Sequence, residues 1–176
     1  MPVAVALSGG GARGAAQVGV LRAFDEFGIR PDMVLGASAG AVNGAWYALR
    51  PGRLDDLAGV WLGLSKRGVF PGTPAHYAYN LARHGHVHRI ESWAGILRKS
   101  FHDALIEEAV LPLTVLTVRL ADGKVMTHDA GPLVPALMAS TAAPGVFPPQ
   151  RLGGELHVDG AVVEFLPIPT AVRQGA

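Results

Sequence analysis

The residue with the clearest chemical setting is Ser38. It lies in Gly36-Ala37-Ser38-Ala39-Gly40, where the apolar run from Met33 gives way to an Ala-rich segment. Gly-x-Ser-x-Gly between a strand and a helix is the form of a nucleophile elbow, a tight turn with the serine at its tip. Side chains two residues either side of the serine would collide there, which gives Gly36 and Gly40 a steric reason to be glycine. The hydroxyl would sit at a helix N-terminus, where free N–H groups and the helix dipole favour developing negative charge.

A second chemical element precedes it. Gly9-Gly10-Gly11-Ala12-Arg13-Gly14 follows a short apolar run and opens a helical pattern. It fits Gly-x-Gly-x-x-Gly, a dinucleotide-binding fingerprint, but that reading wants an acid at the end of the second strand. Asp32 stands before that strand, and Gly36 and Ser38 occupy its end. With a serine elbow one strand away, an oxyanion hole formed by backbone N–H groups of Gly9, Gly10 and Gly11 is the better reading. The dinucleotide loop and a bare turn stand behind it.

The serine needs a base. Of seven histidines only His157 comes late enough for the usual Ser, acid, His order, and no acid stands convincingly between. His84-x-His86-x-His88 has ligand-like alternation but no carboxylate to complete a metal site, so it reads as a solvated loop. Asp159 ends an apolar strand and is followed by Gly160, which can bring its carboxylate to a strand terminus facing a cleft. An ordinary Asp-Gly turn is the alternative. No residue pattern asks for a cofactor or a metal.

The elements that must position these groups read as a parallel α/β unit. Val3–Leu7 is a buried strand, and Val18, Leu21, Phe24 and Phe27 recur at helical spacing from Gly14 to Gly28. Met33–Leu35 is the second strand and Ala39–Leu49 the second helix. In such sheets ligands bind beyond the carboxyl ends of the strands, where both loops lie. Leu54 to Ala109 reads as mostly helical, with a loop near Gly68–Pro74. A stripe of Ile90, Trp93, Ala94, Leu97 and Phe101 could rest on lipid, but packing onto the sheet is favoured. Pro112–Leu120 and Val125–His128 read as paired strands, Pro132–Ala142 as a short helix, and Arg151–Val158 as a hairpin around Gly153-Gly154.

Composition sets the frame. At 176 residues, 49% of them apolar, the chain reads as one domain, residues 1–176, with a core of its own. A net charge of +1 gives no electrostatic case for nucleic acid. There is no cysteine, and the start lacks the basic region of a signal peptide, as in a cytoplasmic protein. No window is long and apolar enough to span a bilayer, which leaves peripheral contact as the membrane association to consider.

Four blocks, in order, resemble the patatin-like phospholipases, serine acyl hydrolases that use a Ser-Asp dyad. They are Gly9–Gly14, Gly36–Gly40, the stretch Ala139-Ser140-Thr141-Ala142-Ala143-Pro144-Gly145-Val146-Phe147-Pro148-Pro149, and Asp159-Gly160-Ala161. The resemblance implies a three-layer α/β/α fold with a mostly parallel sheet, and a lipid or other carboxylic ester as substrate. It makes Ser38 the nucleophile, Asp159 its general base and Gly9–Gly11 the oxyanion hole. Arg13 takes the part of a cation supporting the loop, Gly14, Gly36, Gly40 and Gly160 are supporting glycines, and Pro144–Pro149 is a pocket wall. Ala161 stands where glycine is frequent. Family members often continue with further strand and helix, whereas this chain stops at Ala176; a missing C-terminal segment would leave a sheet edge or core face exposed, and a minimal version, a fragment or cover of that face by association are the alternatives.

Overall fold

The computed structural model describes residues 2–176. β1 (Ala4–Leu7), α1 (Ala15–Glu26), β2 (Met33–Ala37) and α2 (Ala39–Leu49) form the first half of the fold, with a 3-10 turn at Gly11–Gly14. α3 (Leu54–Gly63), α4 (Lys66–Val69), α5 (Pro74–His84) and α6 (Glu91–Phe101) follow. Then come β3 (Leu113–Arg119), β4 (Val125–His128), α7 (Leu133–Ser140), β5 (Gln150–Leu152), β6 (Glu155–Asp159) and α8 (Ile168–Arg173). The boundaries have local causes. Thr73 Oγ1 accepts the His76 N–H, Pro74 opens α5, and Gly85 closes it in a left-handed conformation.

The strands make one sheet flanked by helices, in the order β1-β2-β3-β6-β5, with β4 also paired to β3. β1, β2 and β3 are mutually parallel, and β4 and β6 run antiparallel to β3. Since β5 is antiparallel to β6, four of the six strands run one way.

One consequence of the register matters for the site. β2 pairs with the first part of β3, from Leu113 to Leu116, while β4 occupies the other edge of β3 from Val115 to Val118. β6 therefore pairs on the same edge as β2, beginning one residue further on at Thr117. Two strands running in opposite directions thus meet end to end along β3. The last residue of β2 is Ala37 and the last of β6 is Asp159, so Ser38 and Asp159 emerge at one seam.

Strand alternation divides the core between the two faces. Val34 and Val115 point into a large cluster with Leu21, Tyr47, Leu97 and Leu137, while Leu35, Ala37 and Leu116 join Ala171 of α8 on the other face. Each fully buried Leu or Val contributes about 2 kcal/mol. The α6 stripe is core: Ile90, Trp93, Ala94, Leu97 and Phe101 are all buried, so the lipid-facing alternative is set aside. Toward the end of the chain Val163, Phe165, Ile168 and Val172 are exposed.

Candidate active site

Among the described residues, Ser38 is one of two non-glycine residues with positive φ, at 55°. Such a backbone costs about 1–3 kcal/mol and persists only where its surroundings over-determine it. Here they do. The Ser38 N–H donates to Ser140 Oγ at 3.0 Å, and its carbonyl accepts from the N–H groups of Ala41 and Val42 as α2 begins. A Cβ on Gly36 would lie 2.4 Å from the Gly40 carbonyl oxygen, and one on Gly40 would lie 2.2 Å from the Leu7 carbonyl oxygen. Both glycines let the elbow press against its own strand and against β1.

Ser38 Oγ donates to Asp159 Oδ2 at 2.6 Å. The other carboxylate oxygen, Oδ1, accepts the Ala161 N–H at 2.8 Å, and the Asp159 N–H donates to the Ala142 carbonyl at 3.1 Å. Asp159 is 5% exposed. Burial pushes its carboxyl above the usual carboxylate range, while the hydrogen bonds from Ser38 and Ala161 pull the other way. Gly160 fits because a Cβ there would lie 2.4 Å from the Leu116 carbonyl oxygen, at the seam on β3.

The glycine loop faces this pair. Gly10 and Gly11 line the same pocket as Ser38 and Asp159, and among the described residues their N–H groups find no acceptor. Gly9 is different: its N–H donates to the Phe165 carbonyl at 2.9 Å. It packs tightly, since a Cβ there would lie 2.6 Å from the Cβ of Ala161 and 3.4 Å from that of Ser38. Arg13 braces the loop through its backbone, its N–H donating to the Gly10 carbonyl at 3.1 Å. Its side chain is exposed and makes no hydrogen bond or ion pair among the described residues. Gly14 is buried, with Ala39 Cβ 2.7 Å from where its own Cβ would be.

The pocket encloses about 870 Å³ and is walled by Trp61, Val69, Phe70, Trp93, Val146 and Phe147, with Lys66 in its lining. The block before β5 accordingly does more than form a wall. Val146 and Phe147 line the pocket, but Ser140 Oγ holds the Ser38 N–H and the Ala142 carbonyl holds the Asp159 N–H. Thr141 accepts the Trp93 indole N–H at 2.8 Å. The sequence signals Ser140 only as a hydroxyl residue at the end of an otherwise apolar helix, and Ala142, which acts through its backbone carbonyl, carries no side-chain signal.

The histidines lie elsewhere. His157 is buried with Nδ1 2.9 Å from Thr117 Oγ1, which also meets His128 Nε2 at 2.8 Å. Burial pushes both imidazoles below their usual range, and His157 makes no hydrogen bond to Ser38 or Asp159. His88 packs between Phe70 and Tyr77, whereas His84 and His86 stack on one another. Asp32 accepts the Val3 N–H at 2.7 Å, at the opposite end of β1 and β2 from the glycine loop.

Residues 5–172 match the family model described as patatin-like phospholipase. The chain belongs to the patatin-like phospholipase family. Among relatives, it is 35% identical to an uncharacterized NTE family protein of Mycobacterium tuberculosis, over 94% of this chain and 44% of that one. It is 33% identical to a lysophospholipase of Aspergillus terreus over 99% of this chain and 11% of that one. It is 30% identical to the mouse patatin-like phospholipase domain-containing protein 6, over 99% of this chain and 13% of that one. The chain thus spans less than half the length of these relatives. VipD of Legionella pneumophila shares the fold, with a TM-score of 0.67 at 16% identity over 92% of this patatin-like chain and 46% of VipD. Among the described residues no helix is long and apolar enough to cross a membrane.

Proposed function

We propose that the chain is one catalytic domain, a serine acyl hydrolase that cleaves carboxylic esters of lipids through an acyl-enzyme on Ser38. The observation that carries this reading is the 2.6 Å hydrogen bond from Ser38 Oγ to Asp159 Oδ2. Asp159 takes the hydroxyl proton as Oγ bonds to the ester carbonyl carbon. The carbonyl oxygen becomes an oxyanion, held by the N–H groups of Gly10 and Gly11 and by Ala39 at the start of α2. Collapse breaks the bond to the alcohol oxygen, and Asp159 returns the proton to that oxygen. Water, deprotonated by Asp159, then opens the acyl-serine and the proton goes back to Ser38. Gly9, whose N–H is engaged by Phe165, packs the loop rather than donating to the substrate.

The apolar, 870 Å³ pocket suits an acyl chain, within the range of sites that enclose most of a small ligand. The lysophospholipase named among the relatives supports a lipid ester in particular. Val162 and Phe165 line the pocket while more than half exposed, as suits an opening that takes its ester from a lipid surface. The test is a fluorophosphonate probe followed by peptide mapping. The label is expected on Ser38 and absent from Ser38→Ala. Folded protein that resists the probe would refute the mechanism.

A further inference from the structure

The loop that holds Gly10 and Gly11 is anchored at both ends by a chain of amides that begins on the nucleophile's own helix. Asn43 lies five residues after Ser38, on α2, and is fully buried. Its Nδ2 donates to the Gly14 carbonyl at 2.8 Å and to Gln17 Oε1 at 2.9 Å. Gln17 Nε2 donates in turn to the Ser8 carbonyl at 2.8 Å, with Ser8 Oγ at 3.3 Å. Ser8 and Gly14 bracket the glycine loop. The remaining Asn43 atom, Oδ1, accepts the indole N–H of Trp61 at 2.8 Å, and Trp61 is a wall of the pocket.

The geometry points to Asn43, acting through Gln17, as the positioning residue that sets the oxyanion loop against Ser38. This rests on the acyl hydrolase reading above and adds how its oxyanion hole is built. Glycines impose almost no conformation of their own, so a loop of Gly9, Gly10 and Gly11 needs outside fixing to hold two N–H groups toward one point. The amide chain supplies it. Both Nδ2 hydrogens and the Oδ1 of the Asn43 carboxamide are engaged, so the side chain has one orientation. Because Asn43 is about 1.4 helical turns from Ser38 on a continuous helix, nucleophile and oxyanion donors share a single rigid reference. Neither Asn43 nor Gln17 is placed to touch the ester; both act through the loop.

The test uses Gln17→Leu and Asn43→Ala, with Ser38→Ala as control. Two measurements are made: hydrolysis of a short-chain nitrophenyl ester, and inhibition by a trifluoromethyl ketone of matching chain length. The ketone adds to Ser38 Oγ and places an oxyanion in the hole, so its Ki reports the hole at each working site, independent of how much protein is folded. Displacement of the loop by a fraction of an ångström is expected to lower kcat about tenfold or more, with KM nearly unchanged. Ki should rise by the factor by which kcat/KM falls. A merely structural role would reduce the number of active sites and leave Ki unchanged. Unchanged Ki in both variants, with Ser38→Ala inactive, overturns the role of Asn43 alone, whereas an active Ser38→Ala overturns the catalytic reading. Should Asn43→Ala fail to fold, Gln17→Leu decides, since Gln17 is only half-buried.

Discussion

Replacing Asp159 with asparagine separates what this carboxylate does for catalysis from what it does for stability, and the two effects should have opposite signs. Asparagine has the same shape and its Oδ1 can still accept the Ala161 N–H, so the turn after β6 should survive. It cannot take the proton of Ser38. Loss of a positioned general base costs about 10²–10⁴ in rate, or roughly 3–5 kcal/mol of barrier. Stability should move the other way. Burial raises the Asp159 pKa above its ordinary value of 3.8. Between that value and the raised one, the folded carboxyl keeps a proton that the unfolded chain has released. The native state binds more protons there, so wild-type stability falls as pH rises through the window and stays lower above it. Asparagine has no such slope. Melts followed by circular dichroism at a series of pH values should show equal Tm for the two proteins at strongly acid pH. An advantage for Asp159→Asn should then grow toward neutrality. Wild-type kcat/KM should rise with pH through the same raised pKa as the base loses its proton. Near-normal turnover of Asp159→Asn, or a variant whose Tm falls below wild type as pH rises, would refute the reasoning.

Three further outcomes are expected. Gly40→Ala drives a Cβ to 2.2 Å from the Leu7 carbonyl oxygen, which side-chain movement cannot relieve, so the urea midpoint should drop by the equivalent of about 3 kcal/mol. His157→Ala removes one of the two imidazole partners of Thr117 and should cost about 1–3 kcal/mol of stability while leaving kcat for a nitrophenyl ester nearly unchanged. A collapse of kcat there would instead make His157 the base. Phe147→Leu, at the wall where Phe147 stacks on Phe70 with ring centroids 5.7 Å apart, should cost about 1 kcal/mol. It should also shift kcat/KM toward longer acyl chains, read across a series of ester lengths.

Much of this site was legible in the chain because its parts are local. An elbow needs small residues at fixed offsets from its serine, and a loop of three glycines before a helix has few structural uses. Gly36, Gly40 and Gly9–Gly11 therefore show themselves. The fastenings are not local. Ser140 reaches the Ser38 N–H across 102 residues, and the Gln17–Asn43 amides look in sequence like ordinary polar residues on helices. The strand pattern also announced β6 without revealing that it would abut β2. That depends on β4 taking the opposite edge of β3 and leaving the near edge free beyond Leu116.

The abutment also bears on which residue partners the serine. In a Ser-His-acid arrangement an imidazole stands between hydroxyl and carboxylate, taking the hydroxyl proton itself while the carboxylate orients it and stabilises its charge. Here the two strands end on adjacent residues of one edge, Leu116 and Thr117, and bring Oγ and Oδ2 to 2.6 Å. No ring fits in that distance. His157 shares the strand with Asp159 but pairs opposite Arg119, two residues further from the seam, and Thr117 engages its Nδ1. A carboxylate that must deprotonate an alcohol directly is a weak base when its pKa is ordinary. Burial that raises it, in a position where Ser38 is its hydrogen-bond donor, makes it a better one. In the mechanism proposed above, the seam therefore selects the aspartate by distance, and its burial adapts that aspartate to the task.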